Sequence, residues 1–130
     1  MSVLKEKINY FAESFRYALR GIAYAWKTEQ NFRSEVIIAM IVIFMLLIFP
    51  LRLIEQLLVG LLIVWVLALE LINTVLERTM DVVKPQRSSN IKVIKDIMAG
   101  AVLVSTAGAL VIGAIIFYPY VRNFLLFLFI

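Results

Sequence analysis

The sequence predicts an all-α membrane protein: an N-terminal amphipathic surface helix followed by three transmembrane helices. Two observations carry that class. Of the 130 residues, 63% are hydrophobic, and the mean hydropathy is +0.96, a balance that belongs to integral membrane proteins. In addition, apolar stretches long enough to cross a bilayer recur three times between short polar segments. The chain has room for one bundle, and no Ser-, Gly- or Pro-rich linker divides it, so residues 1–130 read as a single domain.

The surface helix is expected over about residues 4–34. From Leu4 the apolar positions Ile8, Phe11, Phe15, Leu19, Ile22 and Trp26 recur at steps of three and four, with Lys5, Asn9, Glu13, Arg16, Arg20 and Lys27 opposite. The apolar directions span about 80° at 100° per residue, the pattern of a helix lying on a membrane. Met1 to Ala12 has no apolar core ending in a small-residue cleavage site, so no signal peptide is expected. The spans are expected at about 36–53, 57–76 and 97–120. Val36–Leu51 carries no charge and ends at Phe49-Pro50-Leu51-Arg52, where Arg52 can snorkel to the interface. Leu57–Leu76 supplies about 30 Å of helix. Asp81–Lys95 reads as a polar connector, with Pro85 and Ser88-Ser89-Asn90 as breakers and caps. Along the third span Ala101, Ser105, Ala109 and Gly113 repeat at four-residue steps, a face suited to close helix packing. Phe124–Ile130 is an apolar tail to which the sequence assigns no use.

Basic residues set the topology. Six Lys or Arg precede the first span, one lies in the first connector, five lie from Arg78 to Lys95 and one follows the third span. The positive-inside rule then puts the N-terminus and second connector in the cytoplasm and the C-terminus outside. The net charge of +4 suits anionic lipid rather than nucleic acid.

With no cysteine and no histidine, disulfides, thiolate zinc sites and histidine bases are excluded. What remains is acidic. Glu70 stands inside the second span, where a lipid-facing charge costs roughly 2.5–3.5 kcal/mol on insertion scales. Asn73, Glu77 and Asp81 follow at steps of three, four and four, within about 80° of Glu70 around a helix. The topology gathers these residues with Glu29, Glu35, Lys95 and Asp96 at the cytoplasmic end. Carboxylates with a lysine and no soft ligand suit a hard cation such as Mg²⁺, held together with substrate phosphates, and phosphoryl transfer needs such an ion, a cation on the phosphates and a base. Neither G-x-x-x-x-G-K-[ST] nor G-x-G-x-x-G is present. Proton relay, transport and polar helix packing are the alternatives that the residues alone leave open. Glu29 with Arg33 also reads as a surface salt bridge, Lys95 as a snorkelling side chain and Asp96 as a helix cap.

Three blocks, Glu29-Gln-Asn-Phe-Arg-Ser-Glu35, Glu70-x-x-Asn73-Thr-x-x-Glu77-x-x-x-Asp81 and Lys95-Asp96-x-x-Ala99-Gly100-Ala101-Val102-Leu103, resemble the signatures of the small prokaryotic diacylglycerol kinase and undecaprenol kinase family, as does Tyr17-x-x-x-Gly21. The resemblance covers roughly residues 15–120. It implies a homotrimer in the bacterial inner membrane, with active sites shared between subunits, and an ATP- and Mg²⁺-dependent kinase acting on a lipid alcohol. Carried over, Glu70 is the base and meets the lipid hydroxyl, with Asn73 orienting the reacting groups. Glu29 and Glu77 hold the magnesium, Lys95 the phosphates, Asp96 and Tyr17 the nucleotide, and Glu35 lies toward the lipid headgroup. The Ala-Gly-Ala-Val-Leu block and the ending Ile115-Ile116-Phe117-Tyr118-Pro119 look more like the undecaprenol kinases, diacylglycerol being the alternative. A small proton-coupled transporter or channel is the reading from another class. Many relatives place a histidine before the Lys-Asp pair; here the connector reads Gln86-Arg87-Ser88-Ser89-Asn90, so its contacts to the nucleotide differ.

Overall fold

The computed structural model describes residues 2–83 and 89–129, which form helices α1 (Ser2–Thr28), α2 (Gln30–Ile48), α3 (Leu53–Val83) and α4 (Ser89–Phe129), with no strand among the described residues. The last three are long and apolar enough to cross a membrane. Helix α3 is the central member and packs against each of the others. From Leu4 to Tyr24 every residue of α1 is exposed, so the apolar stripe that includes Phe11 and Phe15 has no cover from its own chain, as a helix on a lipid surface requires.

The surface helix ends earlier than the expected residue 34. Glu29 adopts an extended backbone (φ −104°, ψ 116°) and acts as the N-cap residue of α2, so the first crossing helix begins at Gln30. Hydrogen bonding continues across the break: the Glu29 N–H donates to the Ala25 carbonyl at 2.8 Å, and the Arg33 N–H donates to the Glu29 carbonyl at 3.3 Å. Arg33 Nη1 donates to the carbonyls of Trp26 and Lys27, 3.1 Å each, satisfying the end of α1 from the start of α2. Nineteen residues of α2 supply about 28 Å, close to the hydrocarbon thickness.

The other bounds also widen. Helix α3 runs 31 residues, and the expected polar connector is helical at Asp81–Val83 and again from Ser89, where Lys95 of α4 pairs with Asp81 of α3. Pro85 and Ser88 lie outside the described residues. Helix α4 passes through Pro119, which forgoes one backbone bond, and continues through the apolar tail to Phe129. Asp96 is therefore inside α4 and does not cap it.

The turn between α2 and α3 fixes how the spans meet. Phe49 ends α2 before Pro50, and Arg52 N–H donates to Glu55 Oε2 at 2.9 Å, half of a capping box. Arg52 Nη2 pairs with Glu55 Oε1 at 2.7 Å, and Tyr120 Oη of α4 donates to Glu55 Oε2 at 2.5 Å. Beneath this network Leu51, Val59 and Phe117 form the buried core, with Phe49 edge-on to Phe117 and Phe124 at 6.3 and 6.0 Å between centroids. Removing the hydroxyl in Tyr120→Phe should lower the unfolding midpoint of the detergent-solubilised protein, because Glu55 loses a donor from α4. An unfolding titration in SDS reads this directly, and an unchanged midpoint would mean that the bond does not fasten α4.

Candidate functional site

Seventeen residues beyond Leu53, about 25 Å along α3 from the α2–α3 turn, Glu70 comes within electrostatic range of Glu29 at the α1–α2 junction. Its side chain is 2% exposed, and Asn73 and Thr74, on the next turn, are 7% exposed. Thr74 Oγ1 is spent on the Glu70 carbonyl at 3.0 Å. Glu70 Oε2 and Asn73 Oδ1 are buried without a hydrogen-bond partner. A buried, unsatisfied carboxylate is expensive, and its neighbours add to the charge: Glu77, one to two turns further along α3, and Glu29, at the α1–α2 junction, both lie within electrostatic range of it. Glu35 of α2 does too. The helical register of α3 and the break at residue 29 thus bring four carboxylates of one chain together.

Each carboxylate has a different setting. Glu29 Oε1 accepts from Arg78 Nη2 at 2.8 Å, and Thr28 Oγ1 lies 3.0 Å away. The Arg78 guanidinium holds the Glu29 carboxyl below its ordinary value of 4.5 against the opposing effect of burial, so it is charged at neutral pH. The expected Glu29–Arg33 bridge does not form, since the Arg33 fork is occupied by the α1 carbonyls. Glu35 Oε1 accepts from Thr106 Oγ1 of α4 at 3.4 Å, while its Oε2, like Ser105 Oγ, is buried and unpartnered. Lys95 does not snorkel freely: its Nζ is 2.5 Å from Asp81 Oδ1, tying the start of α4 to the end of α3.

Tyr17 stands apart, and Asp96 lacks an ion-pair partner among the described residues. Tyr17 is twelve residues before Glu29, about 18 Å along α1, and exposed, with the Arg16 and Arg20 guanidiniums 5.9 and 5.8 Å from its ring centroid. Asp96 is exposed and makes no ion pair among the described residues. Arg78 and Thr106 organise the site without having been singled out from the sequence, because their partners lie on other helices and no local spacing signals them; Arg33 was singled out, but for Glu29 and not for the α1 carbonyls it meets.

From Glu35 an apolar cavity of about 350 Å³ descends between α2, α3 and α4, past Val42, Leu62 and Val66 to Phe117. Ala109 and Gly113 line it, and a Cβ added at Gly113 would meet nothing within 4 Å. The small-residue face that the sequence reads as a packing surface makes room there instead of contact.

The donors at Glu29 and Glu77 are carboxylate oxygens, which suit a hard divalent ion. Among the described residues no three ligating side chains form a closed cage, and Mg²⁺ is ordinarily held by one or two carboxylates with phosphates and water completing its shell. The residues present therefore fit that ion when it arrives with a phosphate ligand.

One buried and three half-buried carboxylates at one end of three apolar helices, beside an apolar groove, make up a polar site of the membrane-protein class. The chain belongs to the prokaryotic diacylglycerol kinase family of lipid kinases, whose sequence profile matches residues 16–117. It is 36% identical over 107 residues to a diacylglycerol kinase of Synechocystis, a match that takes in 82% of this chain and 61% of that protein. The chain thus spans less than two thirds of that relative. It is also 36% identical over 115 residues to an undecaprenol kinase of Bacillus subtilis, covering 88% of this chain and 94% of the other.

The depressed Glu29 carboxyl gives a pH signature. A group whose folded-state value is lowered contributes stability above its unfolded value, here 4.5, and loses it as pH falls through the folded value. The difference in unfolding midpoint between the wild-type protein and Glu29→Gln should be constant at pH 7 and 6 and shrink below about 4.5. A difference that persists unchanged at pH 3 would contradict the Arg78 tie as its source.

Proposed function

We propose that this chain is an ATP- and Mg²⁺-dependent lipid kinase that phosphorylates the hydroxyl of a membrane alcohol, with undecaprenol as the substrate. The observation that carries the reading is the buried Glu70 carboxylate with its unpartnered Oε2, held in a helix beside the charges of Glu29 and Glu77. Such a group accepts a proton from a hydroxyl brought to it without competition from water. The apolar cavity running down from Glu35 supports a long hydrocarbon substrate whose head lies at the carboxylates. Among lipid alcohols, undecaprenol is supported by the Ala99-Gly100-Ala101-Val102-Leu103 block and by the nearly full-length match to the Bacillus protein.

In this reading Glu70 Oε2 takes the hydroxyl proton as the lipid oxygen bonds to the γ-phosphorus and the bond to the β–γ bridging oxygen breaks, leaving ADP. Asn73 Oδ1, buried one turn away, orients the hydroxyl. Glu29 and Glu77 hold the magnesium, which when bound neutralises phosphate charge. Lys95 exchanges Asp81 for the phosphates, and Glu35 with Thr106 meets the headgroup. Tyr17 and Asp96 contact the nucleotide, Tyr17 from a neighbouring subunit of a homotrimer with shared sites. The basic residues before α2 and around the α3–α4 connector support a cytoplasmic N-terminus and an outer C-terminus in a bacterial inner membrane. A transporter using Glu70 alone would leave Glu29, Glu77 and Lys95 without roles.

Purified protein given Mg²⁺ and labelled ATP, with undecaprenol and diacylglycerol side by side, should label undecaprenol faster. Label in diacylglycerol alone would replace the substrate, and label in neither would defeat the kinase reading. Glu70→Gln keeps the shape without the base and should lower turnover by roughly 10²–10⁴-fold with the unfolding midpoint preserved; near-normal turnover would remove Glu70 from that role. Gly113→Leu fills space that the structure leaves open, and should raise the KM for the long-chain lipid while leaving the KM for ATP unchanged. Equal KM values for both proteins would disconnect the cavity from the lipid.

A further inference from the structure

We propose that Arg78 is a positioning residue for the nucleotide-bound metal: it pins Glu29 Oε1 and so leaves Oε2 as the oxygen that ligates the ion. This rests on the reading that Glu29 and Glu77 share that ion. Arg78 follows Glu77 on α3 and reaches the α1–α2 junction, 49 residues away in sequence, where its Nη2 is 2.8 Å from Glu29 Oε1. Its guanidinium carbon is 5.7 Å from the centroid of the Tyr24 ring, one turn before Thr28 on α1. The planar head is thereby held on two sides, by a carboxylate and by an aromatic face.

Glu29 needs an external hold. It occupies a one-residue break with extended backbone and makes no side-chain cap bond to α2, so its freely rotating side chain must be ordered before it can ligate. Thr28 Oγ1 cannot do this alone, because its single proton serves either Glu29 Oε1 at 3.0 Å or the Tyr24 carbonyl at 3.1 Å. Oε2 accepts no hydrogen bond among the described residues. Being next to Glu77 in sequence, Arg78 also fixes the Glu29 junction to the helix that carries the second ligand. Half of its side chain is exposed, and an exposed pair adds little to folding, so its removal should expose the positioning role rather than unfold the protein.

The test is Mn²⁺ binding to the full chain in detergent with ATP present, read from the electron paramagnetic resonance of the free ion, beside the Mg²⁺ dependence of turnover. Arg78→Met keeps the apolar stem and removes the guanidinium. It should weaken Mn²⁺ binding by roughly 10–100-fold, as loss of a ligand's orienting partner does, and raise the half-saturating Mg²⁺ by a similar factor while the rate at saturation stays near wild type. Arg78→Lys should recover part of the loss. Glu29→Gln and Glu77→Gln are the controls: if neither weakens Mn²⁺ binding, the underlying metal assignment fails regardless of Arg78. If both do and Arg78→Met binds as the wild type does, the positioning role is overturned. Equal losses in Arg78→Met and Arg78→Lys together with a lowered unfolding midpoint would also overturn it, by showing a structural role.

Discussion

The structure depends on keeping a carboxylate buried in a membrane helix without a partner. Glu70 is 2% exposed, and its Oε2 accepts nothing. Hydrocarbon on one side and other carboxylates on the other both penalise it. A helix selected only for stability would carry leucine there. The surrounding elements make sense as the apparatus that tolerates this group: α3 sits in the middle of the bundle, the α1–α2 break brings up Glu29 with its arginine, and Thr106 of α4 engages Glu35.

The bundle separates two jobs by depth. At the α2–α3 turn, Arg52, Glu55 and Tyr120 form a closed hydrogen-bonded network over the Leu51, Val59 and Phe117 core, and its groups largely satisfy one another. At the opposite end four buried polar atoms have no partner among the described residues: Glu35 Oε2, Glu70 Oε2, Asn73 Oδ1 and Ser105 Oγ. Satisfied polar networks rigidify, whereas buried groups left unpaired carry a cost that stability alone does not explain. Between the two ends the small residues of α4 line an apolar space beside the helices that the Arg52–Glu55–Tyr120 network clamps. This division puts a satisfied anchor and an unsatisfied polar end on the same 31-residue helix.

Much of the site was legible because it is written along single helices. Glu70, Asn73 and Glu77 share a face by the 3.6-residue period, and the three spans follow from hydropathy alone. What was not legible lies between helices or inside one residue. The break at Glu29 carries no glycine or proline to mark it, and Glu29 and Gln30 are good helix formers, so only the end of the apolar series at Trp26 hints at it. The Arg78–Glu29 pair links positions 49 apart, and Arg33 turned to backbone carbonyls instead of its i−4 glutamate. Polar composition suggested a connector where Asp81–Val83 and Ser89–Lys95 are helical. The Ala109 and Gly113 ridge marks small side chains, but only the packing of α2 and α3 determines whether they create contact or space.

The claim on which everything rests is that Glu29, from the junction, and Glu77, from the central helix, act on one ion. A double-mutant cycle on Mg²⁺-dependent ATP binding, comparing Glu29→Gln, Glu77→Gln and the pair, tests this most directly, because ligands of a common ion couple strongly whereas independent sites add. The account predicts that the second substitution costs far less binding than the first. Strictly additive losses would contradict it.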